Sequence, residues 1–181
     1  MPIIAVVGSR RSGKTTTVEA IVHGLSLKGY RVATAKHIHE ADFTIDTKGK
    51  DTWRHAQAGA KTILSVAPNE LTIIKKVDTT EYDLNALVKQ CEKEADILIL
   101  EGFRKLVAKN LTIPKIVTIK TVKEASKISE YFKPILAFAG SAKVEVGCLK
   151  IPKIDVLKEP QKLVEIVDKR VESVIKKRRT L

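Results

Sequence analysis

The chain has 181 residues, which suits one α/β domain and leaves too little for a second independent core. With 44% hydrophobic and 30% charged residues it is globular, and no apolar run approaches the roughly 20 residues that cross a bilayer. The net charge of +12 favours anionic partners, but aromatic residues total only 4%, which argues against a nucleic-acid surface. We therefore expect a soluble, cytoplasmic, single-domain protein over residues 1–181, with no membrane partner.

The predicted elements begin with alternating strands and helices. A continuous apolar run over residues 3–7 predicts a strand covered on both faces, and it lacks the basic leader of a secretory signal. Val18, Ile21 and Leu25 then recur at helical spacing. Residues 31–36 predict a second strand, and the right-handed crossover between the two strands implies parallel pairing.

The segment between this strand and this helix matches the phosphate-binding pattern GxxxxGK[ST] at every fixed position. Such a loop turns backbone N–H groups onto phosphate oxygens, and it needs glycine where a Cβ would collide or where φ is positive, here Gly8 and Gly13. Lys14 would reach the β- and γ-phosphates, and the Thr15 hydroxyl would bind Mg²⁺. The predicted phosphate site comprises Gly8, Ser9, Arg10, Arg11, Ser12, Gly13, Lys14, Thr15 and Thr16.

A long polar stretch over residues 37–50 follows the second strand, and it is too long for a bare connection. Residues 37–54 carry imidazoles, carboxylates and cations, which suit a switch that senses γ-phosphate. His37 and His39, at alternate strand positions, also permit a metal site, although no third ligand completes it. The candidate binding residues of this stretch are His37, Asp46, Asp51 and Arg54.

The rest of the pattern predicts an α/β fold of the P-loop type, with a mostly parallel twisted sheet flanked by helices. Its predicted parts are a β-hairpin around residues 61–77 with a turn at Pro68-Asn69, a helix capped by Asp83, strands at 96–100, 115–119 and 134–138, a helix at 122–131, and a basic C-terminal helix and tail at about 159–181. Glu101 ends the strand at 96–100, where open α/β sheets place ligand chemistry. We predict that it binds Mg²⁺ with Thr15; the alternative is that it caps the following loop.

Several motifs in this order resemble the molybdopterin-guanine dinucleotide biosynthesis protein B (MobB) family, and the likeness covers about the first 105 residues. They are GSRRSGKTT, Lys36-His37-Ile38-His39, Asp46, Gly49-Lys50-Asp51-Thr52-Trp53-Arg54-His55 with Ala58-Gly59-Ala60, and the segment LILEGF that contains Glu101. The resemblance implies a homodimer that binds GTP and assists a guanylyltransferase partner, protein A, which attaches GMP to molybdopterin. Catalysis by this chain would then be at most slow GTP hydrolysis. The resemblance also implies an alternative to the γ-phosphate switch for residues 37–54, namely a pocket for a phosphorylated pterin.

Guanine preference rests on this resemblance, because no NKxD motif is present. The segment Thr118-Ile119-Lys120-Thr121 lacks the aspartate, and Ser141-Ala142-Lys143 resembles the SAK loop of GTPases.

Two other functions stay open. A small P-loop kinase would need an arginine-bearing lid, for which Arg104-Lys105 is the nearest candidate. A metallochaperone-type GTPase usually needs a Cys/His cluster, whereas Cys91 and Cys148 are isolated.

Overall fold

The computed structural model describes residues 1–140 and 151–179. The chain divides into two compact units, of which the first comprises Met1–His37 and Asp83–Leu181, and the second comprises Ile38–Tyr82. Across the described residues, no helix combines the length and the apolar character needed to cross a membrane. The single nucleotide-binding domain over residues 1–181 stays a prediction.

Eight strands and six helices are assigned within the described residues. The strands are β1 (Ile3–Gly8), β2 (Val32–Lys36), β3 (Thr62–Ala67), β4 (Glu70–Lys75), β5 (Ile97–Glu101), β6 (Lys115–Thr118), β7 (Ile135–Ala139) and β8 (Lys153–Ile154). The helices are α1 (Lys14–Leu27), α2 (Asp51–Gln57), α3 (Leu84–Lys89), α4 (Arg104–Val107), α5 (Val122–Tyr131) and α6 (Pro160–Arg179).

The first unit contains a six-stranded parallel sheet in the order β2-β5-β1-β6-β7-β8. Alternate side chains of β1 pack into two hydrophobic cores, one on each face of the sheet. Ile4 and Val6 pack with residues of α1 and α6, whereas Ala5 and Val7 pack with residues of α4 and α5. Because helices cover both faces of the sheet, the central strand is apolar at every position rather than at every second one. The predicted α/β fold with a mostly parallel sheet is therefore confirmed.

The position of β2 corrects one expectation. It is parallel to β1, but β5 lies between them and pairs with both strands. The crossover through α1 therefore skips one strand of the sheet, and the implied pairing of the first two strands is wrong.

The helix boundary at Asp83 is confirmed, because its side chain accepts a hydrogen bond from the backbone N–H of Ala86 at 2.8 Å. The sequence reading missed α2, α4 and β8.

The second unit contains α2 and the hairpin of β3 and β4. The hairpin is antiparallel, as predicted, and Leu64 opposes Ile73 while Val66 opposes Leu71. These four side chains share one face and are exposed, whereas Ile63 on the other face is buried. Helix α2 begins at Asp51, so residues 51–54 are helical and the prediction of a loop through residue 54 is wrong.

Two sequence motifs fall outside the described residues, namely Ser141-Ala142-Lys143 and Cys148. The predicted C-terminal helix is confirmed as α6, in which Lys176 pairs with Glu172 at 3.1 Å. The last two residues of the basic tail, Thr180 and Leu181, also lie outside the described part.

Candidate phosphate-binding site

The loop between β1 and α1 uses its two glycines for different reasons. A Cβ on Gly8 would lie 2.5 Å from the carbonyl oxygen of Thr118 and 2.7 Å from Oγ of Ser12, distances that no real side chain tolerates. Gly13 has open space around it but a φ of +88°, which favours glycine, and it forms the N-cap of α1. The structure thus confirms the two physical reasons for these glycines.

Hydrogen bonds of buried hydroxyl groups hold the loop in its conformation. Ser12 donates to the carbonyl oxygen of Ser9 at 2.8 Å, and its Oγ lies 2.5 Å from Oγ1 of Thr118 on β6. Thr17, one turn into α1, donates back to the carbonyl oxygen of Gly13 at 2.8 Å. Arg11 has a φ of +57°, a left-handed conformation that is uncommon for residues other than glycine. Hydrogen bonds within the loop and to β6 and α1 therefore stabilise its conformation without a bound ligand.

The Lys14 ammonium group lies over the loop. Its Nζ donates to the carbonyl oxygen of Ser9 at 2.7 Å and lies 3.4 Å from that of Gly8. Burial lowers the pKa of Lys14, and the nearby Glu101 carboxylate opposes this shift. A lysine held over a cradle of backbone groups is suited to bind the oxygens of a phosphate chain.

The structure brings together the two residues that were predicted to bind Mg²⁺. Oγ1 of Thr15 donates to Oε1 of Glu101 at 2.9 Å, across 86 residues of sequence. Lys36, at the end of β2, places its Nζ 3.2 Å from the same carboxylate oxygen. Glu101 is only 8% exposed. A hydroxyl and a buried carboxylate at this spacing are hard oxygen ligands of the kind that Mg²⁺ prefers, so the residues fit the ion.

His37 lies just beyond β2 and contacts the turn that follows Glu101. Its backbone N–H donates to the carbonyl oxygen of Glu101 at 3.0 Å, and its ring lies edge-on to Phe103 with centroids 5.2 Å apart. Because β2 ends at Lys36, His37 and His39 do not occupy alternate strand positions, and that premise for a histidine metal site is wrong. Over the described ranges, no group of three His, Cys, Asp or Glu side chains could hold a metal.

The other three candidate residues belong to the second unit and make local contacts there. Asp46 accepts hydrogen bonds from the backbone N–H of Thr47 at 2.9 Å and from Oγ1 of Thr52 at 2.8 Å, which connects the turn to the start of α2. Asp51 and Arg54 lie in α2 with 3.8 Å between Oδ1 and Nη1, and both are exposed. The structure thus pairs Asp46 with Thr52 and Asp51 with Arg54.

A cavity of about 370 Å³ opens beside the loop. Its lining includes Arg11, Gly13, Thr16, Lys120, Gly140 and Leu157. Lys120 and Gly140 follow β6 and β7, which lie on one side of β1, whereas Glu101 ends β5 on the other side. Sequence reasoning missed the contribution of Leu157, which has no motif to mark it, and the bracing role of Thr118.

This fold and this loop define the class of the protein, a P-loop α/β protein. Residues 3–141 match the family described as molybdopterin guanine dinucleotide synthesis protein B, MobB. This match extends over more than half of the chain, and the chain belongs to the MobB family.

The chain is also similar to individual members of this family. It is 34% identical over 137 residues to a putative molybdopterin-guanine dinucleotide biosynthesis adapter protein of Methanocaldococcus jannaschii, covering 75% of this chain and 55% of that protein. It is 30% identical over 149 residues to the adapter protein of Haemophilus influenzae, covering 81% and 78% of the two chains. The crystal structure of Bacillus subtilis MobB superposes with a TM-score of 0.71 and 26% identity, covering 92% of this chain and 98% of that one.

Proposed function

We propose that this chain binds GTP with Mg²⁺ at its phosphate loop and serves as an accessory protein in the conversion of molybdopterin to its guanine dinucleotide form. The observation that carries nucleotide binding is the contact of Thr15 with Glu101 beside the Lys14 ammonium group. This contact supports a magnesium site, because it puts two oxygen ligands next to the phosphate loop within one compact unit. The accessory role is supported by the family match and by relatives that are named adapter proteins.

Each group around the loop has a defined task in this proposal. The backbone N–H groups at the start of α1 would face the phosphates, where the helix dipole favours negative charge. Thr15 and Glu101 would hold Mg²⁺, which, when bound, neutralises charge on the β- and γ-phosphates. Lys36 already pairs with Glu101, so it would keep that carboxylate oriented before the nucleotide arrives.

The cavity beside the loop is the place for the base and ribose. It is bounded by Lys120 after β6 and Gly140 after β7, on the side of β1 opposite to Glu101. In this orientation the phosphates run from the cavity towards Glu101. Guanine over adenine is proposed from the family match.

The proposed partners are molybdopterin or the guanylyltransferase protein A, and a second copy of this chain, in the cytoplasm. The homodimer is supported by the exposed apolar face of the hairpin, formed by Leu64, Val66, Leu71 and Ile73. A two-stranded hairpin alone is marginally stable, and a second copy would cover this face. Light scattering tests it: Val66→Lys should yield monomers, whereas Ser65→Lys on the opposite face should stay dimeric. A wild-type monomer at micromolar concentration, with and without GTP, contradicts the dimer.

A thermal-shift panel of nucleotides tests the central proposal. GTP with Mg²⁺ at 100 times its Kd should stabilise the fold by about 2.7 kcal/mol through mass action. Lys14→Ala should abolish that shift, while Lys127→Ala, an exposed lysine on α5, should retain it. A full response in Lys14→Ala would contradict the phosphate site. An equal response of the wild type to ATP would leave the phosphate site intact and contradict the guanine preference.

A further inference from the structure

Arg104 contacts the phosphate loop from a helix that the loop motif does not include. It is the first residue of α4, three residues after Glu101. Its Nη1 lies 3.5 Å from the carbonyl oxygen of Gly8, and its Cζ lies 5.3 Å from the centre of the Phe132 ring. Nζ of Lys14 lies 3.4 Å from the same Gly8 oxygen. Two cations therefore meet at one carbonyl group of the loop.

The turn before Arg104 is specialised to place it there. Gly102 and Phe103 have φ values of +89° and +49°, and Phe103 forms the N-cap of α4. Left-handed backbone at a bulky residue is uncommon and persists only where the surroundings impose it. Here Phe103 is held by its ring contact with His37. This turn directs the chain from the end of β5 back towards the loop.

The charges around Lys14 do not balance. Lys14, Lys36 and Arg104 are cations, and Glu101 is the carboxylate among them, already engaged by Thr15 and Lys36. Within residues 1–140 and 151–179, Arg104 forms no ion pair. Besides burial, the positive charges of Arg104 and Lys36 lower the pKa of Lys14. A site with surplus positive charge at the loop favours a ligand with several negative charges.

The positions of the cavity and of Lys14 indicate which part of that ligand lies near Arg104. β5 and β6 flank β1 on opposite sides. The cavity for base and ribose lies on the β6 side, whereas Glu101 ends β5 and Arg104 comes three residues later. Thr15 and Glu101 would hold the Mg²⁺ that neutralises charge on the β- and γ-phosphates. The residues that line the cavity do not include Arg104, and its guanidinium meets the loop at the carbonyl group of Gly8, beside the Lys14 ammonium group that would bind the β- and γ-phosphates.

We propose that Arg104 binds the terminal phosphate from within the same chain and thereby lets the protein distinguish a nucleoside triphosphate from the diphosphate. This inference rests on the proposed nucleotide binding. A guanidinium group presents several N–H donors in a planar fork, which matches two phosphate oxygens at once. Phe132 keeps the guanidinium beside the loop until the phosphate replaces the weak contact with Gly8.

Calorimetric titration with GTPγS and with GDP, both with Mg²⁺, tests the proposal. Arg104→Met keeps a long apolar stem and removes the charge, so GTPγS should bind at least about tenfold more weakly while GDP changes less than about twofold. Arg104→Lys should fall between Arg104→Met and wild type, because it restores a point charge without the fork. Lys105→Met removes the adjacent exposed cation on α4 and should leave both affinities unchanged.

Two results would overturn the proposal. Equal weakening of GTPγS and GDP in Arg104→Met would make Arg104 a support of the loop, and unchanged affinities would make its position incidental. Failure of nucleotide binding itself gives a different pattern, in which wild type and Lys14→Ala bind GTPγS equally weakly. Arg104 is exposed, so circular dichroism should show wild-type folding in its variants; if Arg104→Met does not fold, Arg104→Lys carries the same comparison of the two nucleotides.

Discussion

The phosphate loop and the polar stretch that begins the second unit are both rich in charged and hydroxyl side chains, yet their contacts differ in kind. Around the loop, the partners are far apart in sequence, as Thr15 and Glu101 or Ser12 and Thr118 show. In the second unit, Asp46 binds Thr47 and Thr52, and Asp51 pairs with Arg54. Long-range contacts depend on the complete fold, whereas local contacts can form in a short segment.

Glycine substitutions should show this difference most strongly. Gly8→Ala forces a Cβ against the backbone of Thr118, so we expect a loss of about 3 kcal/mol or more in the free energy of unfolding. Gly49→Ala in the second unit meets open space and opposes only a φ of +87°, so the loss should be about 1 kcal/mol. Urea denaturation measures both. Similar losses would mean that the loop is not tightly packed against β6.

Removing the carboxylate at the end of β5 should weaken magnesium-dependent binding. Glu101→Gln is expected to reduce GTP affinity in Mg²⁺ by about tenfold, because a neutral amide is a poorer ligand for the ion. In EDTA the variant and wild type should bind GTP about equally. Affinity that falls by the same factor in both buffers would mean that Glu101 supports the loop rather than the metal.

The polar stretch should matter for coupling to the partner rather than for nucleotide affinity. We expect Asp46→Asn and Asp51→Asn to keep GTP affinity within about twofold and to reduce stimulation of the guanylyltransferase, because their described contacts are confined to the second unit. The assay measures GTP affinity, intrinsic GTP hydrolysis and guanylyltransferase stimulation together. Unchanged stimulation in both variants would reduce the stretch to a structural connection. Rapid phosphoryl transfer to a small metabolite by wild type would favour a kinase.

The smallest expected effect is on the pH dependence of stability, which compares the carboxylates Asp96 and Asp78. Hydrogen bonds from Arg31 lower the pKa of Asp96, and hydrogen bonds from Thr80 lower the pKa of Asp78. A carboxylate with a lowered folded-state pKa stabilises the protein above its unfolded pKa of about 3.9, and this contribution is lost as the pH falls through the folded value. The difference between wild type and Asp96→Asn should therefore be present at pH 7 and disappear in acid.

Asp78→Asn is the matched local case. Its partner is two residues away, so the same bonds can persist in the unfolded chain and cancel from the free energy of unfolding. The partner of Asp96 is 65 residues away and is lost on unfolding. We expect a smaller pH-dependent effect for Asp78→Asn in denaturation curves between pH 2 and pH 7. A larger effect at Asp78 would contradict the distinction between local and long-range contacts.

Periodicity and capping in the sequence predicted most of the helices and strands. The continuous apolar run of β1, the cap at Asp83 and the hairpin turn at Pro68-Asn69 depend on neighbouring residues, and all three were predicted correctly. Helix α4 and strand β8 were missed because they span four and two residues, too few to show a period. Helix α2 was missed because its seven residues have no buried face to create one.

The sequence by itself determined the phosphate loop, because GxxxxGK[ST] lies within eight consecutive residues and its glycines have local and predictable backbone requirements. It also indicated Glu101, since the end of a buried strand is a known position for ligands. Only the tertiary structure decided that β5 lies beside β1, which brings Glu101 to Thr15 and Arg104 to the carbonyl group of Gly8. Strand order depends on packing between segments distant in sequence, and no local pattern encodes it.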